Sequence, residues 1–228
     1  MLEKNLVQIA GVIDAAEADM LRQCGVRYLG IPLRLPVHRE DLTEAEAAAI
    51  IKGLVPPVFG VLITYLDNAT RIATFCHALG ARIVQLHGDI TCDQLRLLKA
   101  LDPTLTIIKS LIVGIHEDKT LETALRDLSP FVDAFITDTF DPSTGASGAT
   151  GKTHDWRVSR RLVEMSHRPI ILAGGLTPEN VKQAIRAVGP AGVDTHTGVE
   201  DRSGRKSEEK VRKFLAEASE AFQLVKSN

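Results

Sequence analysis

Two glycine turns and a carboxylate are the parts of this chain whose residue types and spacing could do chemistry. Ile170-Ile171-Leu172-Ala173-Gly174-Gly175-Leu176-Thr177-Pro178-Glu179-Asn180 reads as an apolar strand that ends in two glycines and leads into a helix. Glycines let a backbone approach an anion closely, and a helix start adds unpaired N–H groups and a positive dipole end. Thr177 is placed to cap that helix, with Pro178 in its first position. Further on, Gly192-Val193-Asp194-Thr195-His196-Thr197-Gly198 repeats the strand-then-glycine pattern. Two such turns side by side could share one phosphate.

Asp138 follows the apolar pair Phe135-Ile136 and precedes a long loop, Thr139 to Thr153, with glycines at 145, 148 and 151. Two roles fit it: a general acid whose pKa is raised by partial burial, or a cap that bonds its own loop backbone. Arg34 and Arg39 lie in a loop with Pro32 and Pro36, and either guanidinium fork could clamp a carboxylate or simply be solvated. His87, in Gln85-Leu86-His87-Gly88, stands at a strand end as a site residue or a loop tether. Gly148-Ala149-Thr150-Gly151-Lys152-Thr153 imitates the tail of a P-loop, but Ala146 occupies the place of the required first glycine. A nucleotide triphosphatase is therefore disfavoured, and the loop reads better as an active-site lid. His77 and His116 have no clustered partners, and no His/Asp/Glu group has ligand spacing, so no metal is expected.

The elements that must position these residues follow from periodicity. Short apolar runs at Leu6–Ala10, Tyr28–Leu33, Val58–Thr64, Ile83–Leu86, Thr106–Leu111, Ala134–Thr137, Ile170–Ala173 and Gly192–Thr195 read as strands. Amphipathic stretches near 14–23, 43–53, 68–79, 91–101, 117–128, 155–165, 178–187 and 206–224 read as helices between and after them. Thr43 with Glu46 forms a capping box, and Gly25, Gly53, Gly80 and Gly189 stand where C-terminal caps belong. Eight strand–helix pairs without a linker predict an α/β fold, a single-domain (β/α)8 TIM barrel over residues 1–228. An open doubly wound sheet is the alternative, but the first strand lacks its glycine fingerprint and the glycine turns fall at strands seven and eight, where barrels bind phosphate.

Composition narrows the function classes. A formal charge of -2 with 25% charged residues gives no electrostatic case for nucleic acid or an acidic membrane. The mixed-sign run from Arg202 to Lys213 reads as a solvated helix face. Cys24, Cys76 and Cys92 are odd in number and fit buried thiols in a reducing compartment. With no membrane-length apolar run and no signal-like start, a soluble cytoplasmic protein is expected.

Taken together, Val84-Gln85-Leu86-His87-Gly88, Asp138-Thr139, Gly148 through Trp156, and Leu172 through Val181 resemble the phosphoribosylanthranilate isomerases, barrels of tryptophan biosynthesis that perform an Amadori rearrangement. The resemblance runs nearly end to end. It implies chemistry without a cofactor, on a small phosphorylated sugar ligand held against Gly174, Gly175 and the Thr197-Gly198 turn. It implies Asp138 as the general acid at the furanose oxygen, Arg39 on the anthranilate carboxylate, His87 in the substrate site, and a monomer or homodimer. The family's Lys-Ile-Cys-Gly, whose cysteine is the general base, is Gln8-Ile9-Ala10-Gly11 in this chain. Its Ser-Ser-Gly-Val-Glu is His196-Thr197-Gly198-Val199-Glu200. Three readings follow: an isomerase with a replacement base, for which His196 and His87 are candidates; an isomerase of another phosphorylated substrate; or a non-catalytic sugar-phosphate-binding or regulatory paralogue.

Overall fold

Apolar runs too continuous for a one-sided sheet must be buried on both faces, which calls for a parallel sheet wrapped in helices. A computed structural model describes residues 2–36, 40–114, 118–141, 146–147 and 153–226 and has that arrangement. Its strands are β1 (Leu6–Ala10), β2 (Tyr28–Pro32), β3 (Phe59–Thr64), β4 (Ile83–Leu86), β5 (Thr106–Val113), β6 (Ala134–Asp141), β7 (Ile170–Leu172) and β8 (Gly192–Thr195). Each pairs in parallel with its chain neighbours, and β1 pairs with β8, so the sheet closes into a barrel. The helices are α1 (Ala15–Gln23), α2 (Glu44–Gly53), α3 (Ala69–Leu79), α4 (Cys92–Leu101), α5 (Asp118–Leu128), α6 (Trp156–Met165), α7 (Val181–Val188) and α8 (Glu208–Lys226). A two-residue antiparallel arm, Ala146–Ser147, pairs with the end of β6.

Strand alternation sorts the core into two regions. Leu6, Ala10, Val61, Ile63, Ile83, Ile108, Ile136, Ile171 and Ala173 fill the barrel interior. Ile9, Leu29, Leu62, Val84, Phe135 and Val193 face outward onto helix residues such as Leu21, Ile72, Leu95, Ile185 and Phe214. Each such Leu, Ile or Phe contributes roughly 1.5–3 kcal/mol by leaving water. The same parity decides which polar residues reach the mouth: Gln8, Gln85, Asp138 and Asp194 share the inward register of their apolar neighbours and are buried.

Helix starts follow the sequence closely. Asp14, Asn68 and Thr91 accept backbone N–H groups as N-caps, and the Thr43–Glu46 capping box is complete. Gly80 and Gly189 are left-handed C-caps, whereas Gly53 is the last residue of α2 and Leu54 caps it. α7 begins at Val181 and not at Pro178. The reason is local: Asn180 accepts from the Thr177 amide at 2.8 Å and donates to the Gly175 carbonyl at 2.9 Å, folding 177–180 back on the glycine pair. Thr177 caps only that turn, through Glu179 N at 3.2 Å. β6 runs past Asp138 because β5 continues alongside it, pairing Ile112 with Asp138 and Val113 with Thr139.

Candidate active site

The two glycine turns meet at the end of the barrel to which the strands run. Gly174 has φ +96°, and a Cβ there would lie 2.1 Å from Thr139 Oγ1, so only glycine lets the turn pack this closely on β6. At Gly198 a Cβ would lie 1.9 Å from the Leu176 carbonyl, which also accepts from Thr195 Oγ1 at 2.7 Å. That carbonyl is pinned between the turns. The amides of Gly174 and Gly175 donate to nothing among the described residues, while Asn180 occupies the Gly175 carbonyl. Unused donors beside a second glycine turn at Thr197-Gly198 suit an anion.

Beside this cradle stands Asp138, 6% exposed, with Thr139 N donating to Oδ1 at 2.8 Å. Burial pushes its carboxyl up to about 7, against the opposing pull of that N–H, so it can hold a proton near neutrality. Thr139 Oγ1 is 2.9 Å from His154 Nδ1, and His154 Nε2 is 2.6 Å from Ser159 Oγ on α6. Burial brings His154 down to about 4, so this link between β6, the residues preceding α6 and α6 itself is neutral.

A second network crosses the barrel. Gln8 Nε2 on β1 donates to Gln85 Oε1 on β4 at 2.8 Å, and Gln85 Nε2 lies 2.7 Å from His87 Nε2. With the Gln85 oxygen accepting, its nitrogen donates to His87, which places the His87 proton on Nδ1. Burial, then the neighbouring Lys109, pushes His87 down to about 3. The ring stacks on Tyr65 with centroids 5.4 Å apart. His87 is thus a neutral ring whose basic nitrogen is engaged. Lys109 is itself buried and brought down to about 8, with Nζ donating to the Ser110 carbonyl at 2.8 Å.

Asp194 lies among these groups, although its sequence context does not single it out. It is 6% exposed, Oδ1 has no partner, and burial followed by the Asp138 charge raises its carboxyl to about 8. The signal that could find it is parity, because its Cα partner on β1 is the inward-facing Gln8.

His196 sits past the end of β1: a Cβ on Gly11 would lie 2.0 Å from His196 Nε2. The same nitrogen is 3.3 Å from Glu200 Oε1, which Lys206 Nζ also contacts at 2.8 Å while donating to the Gly11 carbonyl at 3.0 Å. Ala10 is buried on the inner wall, where its methyl can neither take nor give a proton. Arg34 is no clamp at the mouth: its guanidinium pairs with Glu44 at 2.9 Å and lies 3.7 Å over the Phe75 ring, held between α2 and α3. Arg39, His38, His116, the glycines at 145, 148 and 151, and Lys152 lie outside the described residues. Among the described residues no His/Cys/Asp/Glu group could hold a metal, and no helix is long and apolar enough to cross a membrane.

Comparison with known proteins gives the family of this barrel. Residues 8–217 match the family model for N-(5'phosphoribosyl)anthranilate (PRA) isomerase. N-(5'-phosphoribosyl)anthranilate isomerase 2 of Methanosarcina mazei is 38% identical over 226 residues, covering 97% of each chain. The crystal structure of phosphoribosyl anthranilate isomerase from Thermotoga maritima superposes with a TM-score of 0.80 at 27% identity, covering 95% of this chain and 99% of that one. A phosphoribosyl anthranilate isomerase in complex with reduced 1-(o-carboxyphenylamino)-1-deoxyribulose 5-phosphate superposes at 0.77 with 25% identity, again over 95% of this chain and 99% of that one. The closed barrel, the paired glycine turns and a match spanning almost the whole sequence place this chain in the N-(5'-phosphoribosyl)anthranilate isomerase family.

Proposed function

We propose that this protein isomerises N-(5'-phosphoribosyl)anthranilate by an Amadori rearrangement, with Asp138 protonating the furanose oxygen. The observation that carries the reading is a buried carboxyl able to hold a proton near neutral pH, set beside a glycine turn with two unused amides. In this reading Gly174, Gly175, Thr197 and Gly198 hold the phosphate and place the ribose over Asp138. The ring C1′–O4′ bond breaks as O4′ takes the proton, and the anthranilate nitrogen supplies electrons to form an iminium. Removing the C2′ proton then gives an enolamine, which ketonises to the product. His87 serves as a neutral wall of the site, because its Nε2 is already occupied by Gln85. Arg39 is assigned to the anthranilate carboxylate by the family resemblance.

Ala10 favours a second reading, a sugar-phosphate binder without turnover, because the first strand offers a methyl where a base is needed. The two are separated by giving purified protein the fluorescent substrate. Loss of fluorescence that falls on the order of 10²–10⁴-fold in Asp138→Asn supports the isomerase. Thermal stabilisation by the sugar phosphate with no loss of fluorescence supports the binder.

A further inference from the structure

Asp138 and Asp194 stand on strands β6 and β8, separated only by β7. Thr137 pairs with Leu172 and Leu172 with Val193, so the next position along these three strands is Asp138, Ala173 and Asp194. The residue between the two acids contributes only a methyl. Ala10 and Gly30, Cα partners on β1 and β2, likewise leave the adjoining inner wall small. Asp194 Oδ1 is buried and without a partner, although more than nine-tenths of the residue is out of solvent. A buried carboxyl oxygen with nothing to bond is unfavourable unless a ligand or proton completes it.

We propose that Asp138 and Asp194 form one acid–base pair that shares a single proton, with Asp194 taking the C2′ proton that the Ala10 methyl cannot. The role rests on the isomerase reading above. The balance closes: Asp138 gives its proton to O4′ as the C1′–O4′ bond breaks, and Asp194 takes the C2′ proton as the C1′=C2′ bond forms and the nitrogen regains its lone pair. Ketonisation moves one proton from the 2′-hydroxyl to C1′. The pair begins and ends with one proton, displaced from Asp138 to Asp194. Burial raises both carboxyls, and the charge that appears on Asp138 when its proton leaves raises Asp194 further, which makes Asp194 the stronger acceptor at that moment. The groups facing Asp194 are Gln8 from β1, Asp138 from β6 and Lys206 from the segment after β8. Those facing Asp138 are Asp194, the Thr139 amide and Tyr65, which follows β3.

Two measurements on the full chain test this. Infrared titration of the parent should lose its protonated-carboxyl band in two steps between about pH 6 and 9, and Asp138→Asn should move the remaining step to lower pH. A step that ignores its partner's removal would overturn the pairing, whatever the turnover. In steady-state kinetics, kcat/KM of the parent should be bell-shaped in pH, and Asp194→Asn should lower kcat on the order of 10²–10⁴-fold at nearly constant KM. Adding Ala10→Cys to Asp194→Asn should restore kcat at least about tenfold, since a thiolate then stands on the neighbouring strand. A parent that turns over while Asp194→Asn keeps kcat within about threefold would overturn the base assignment. A parent without turnover but with coupled titration would overturn the isomerase reading and, with it, the catalytic role of the pair.

Discussion

A carboxyl buried among apolar residues makes the folded protein favour the protonated form, and that preference is a stability term as well as a catalytic one. Asp138 and Asp194 stand at about 7 and about 8 against an ordinary value of 3.8. Their contribution is fully present below about pH 4 and is lost as pH rises through the folded-state values. Asp138→Asn should therefore be more stable than the parent in urea unfolding at about pH 9, by a few kcal/mol, with the advantage shrinking as pH falls toward 4. An advantage that does not change with pH would contradict the buried, proton-holding Asp138. This residue is legible in the sequence because an apolar strand runs directly into it. Asp194 is not, because Gly192-Val193-Asp194-Thr195 reads equally well with either face inward until its pairing with Gln8 fixes the register. Arg34 misleads for a related reason: its attractive partners, Glu44 and the Phe75 ring, belong to helices that only the fold brings beside it.

Among the elements, the turn between β7 and α7 is set by close approach more than by helix capping. Gly174 combines φ +96° with a Thr139 Oγ1 where a side chain would go, so Gly174→Ala must strain its own backbone and push the turn away from β6. The expected outcome is a stability loss of about 1–3 kcal/mol. Sugar-phosphate affinity, followed by ligand-dependent thermal shift, should fall on the order of tenfold or more. A variant that binds as tightly as the parent would remove this turn from the ligand site. Strand positions and most helix caps are legible beforehand because both depend on local periodicity and on side chains a few residues apart. The late start of α7 is not, because it hangs on Asn180 reaching back to Gly175 and Thr177, a competition among equally local bonds that composition does not decide. The extension of β6 likewise depends on how far β5 accompanies it.

For the whole molecule, the resemblance to a known barrel family is readable end to end because the (β/α)8 rhythm repeats the same local rule eight times. What no single repeat contains is the join between the first and last strands. There, the Asn5 amide donates to the Ala191 carbonyl at 2.9 Å, and the buried Lys206 ties the Gly11 carbonyl to Glu200 while its own amide donates to Glu17. By contrast, the Gly11 amide bonds Gly30, a near neighbour along the chain, at 2.9 Å. Bringing distant chain segments together costs more loop entropy than joining close ones, and such contacts form late. The two edges of one strand thus keep different times: in pulse-labelled refolding, the Asn5 amide should gain protection after that of Gly11. Until it does, β1 presents an unpaired edge to other molecules, which makes the interval before the join closes the period of greatest aggregation risk for this barrel.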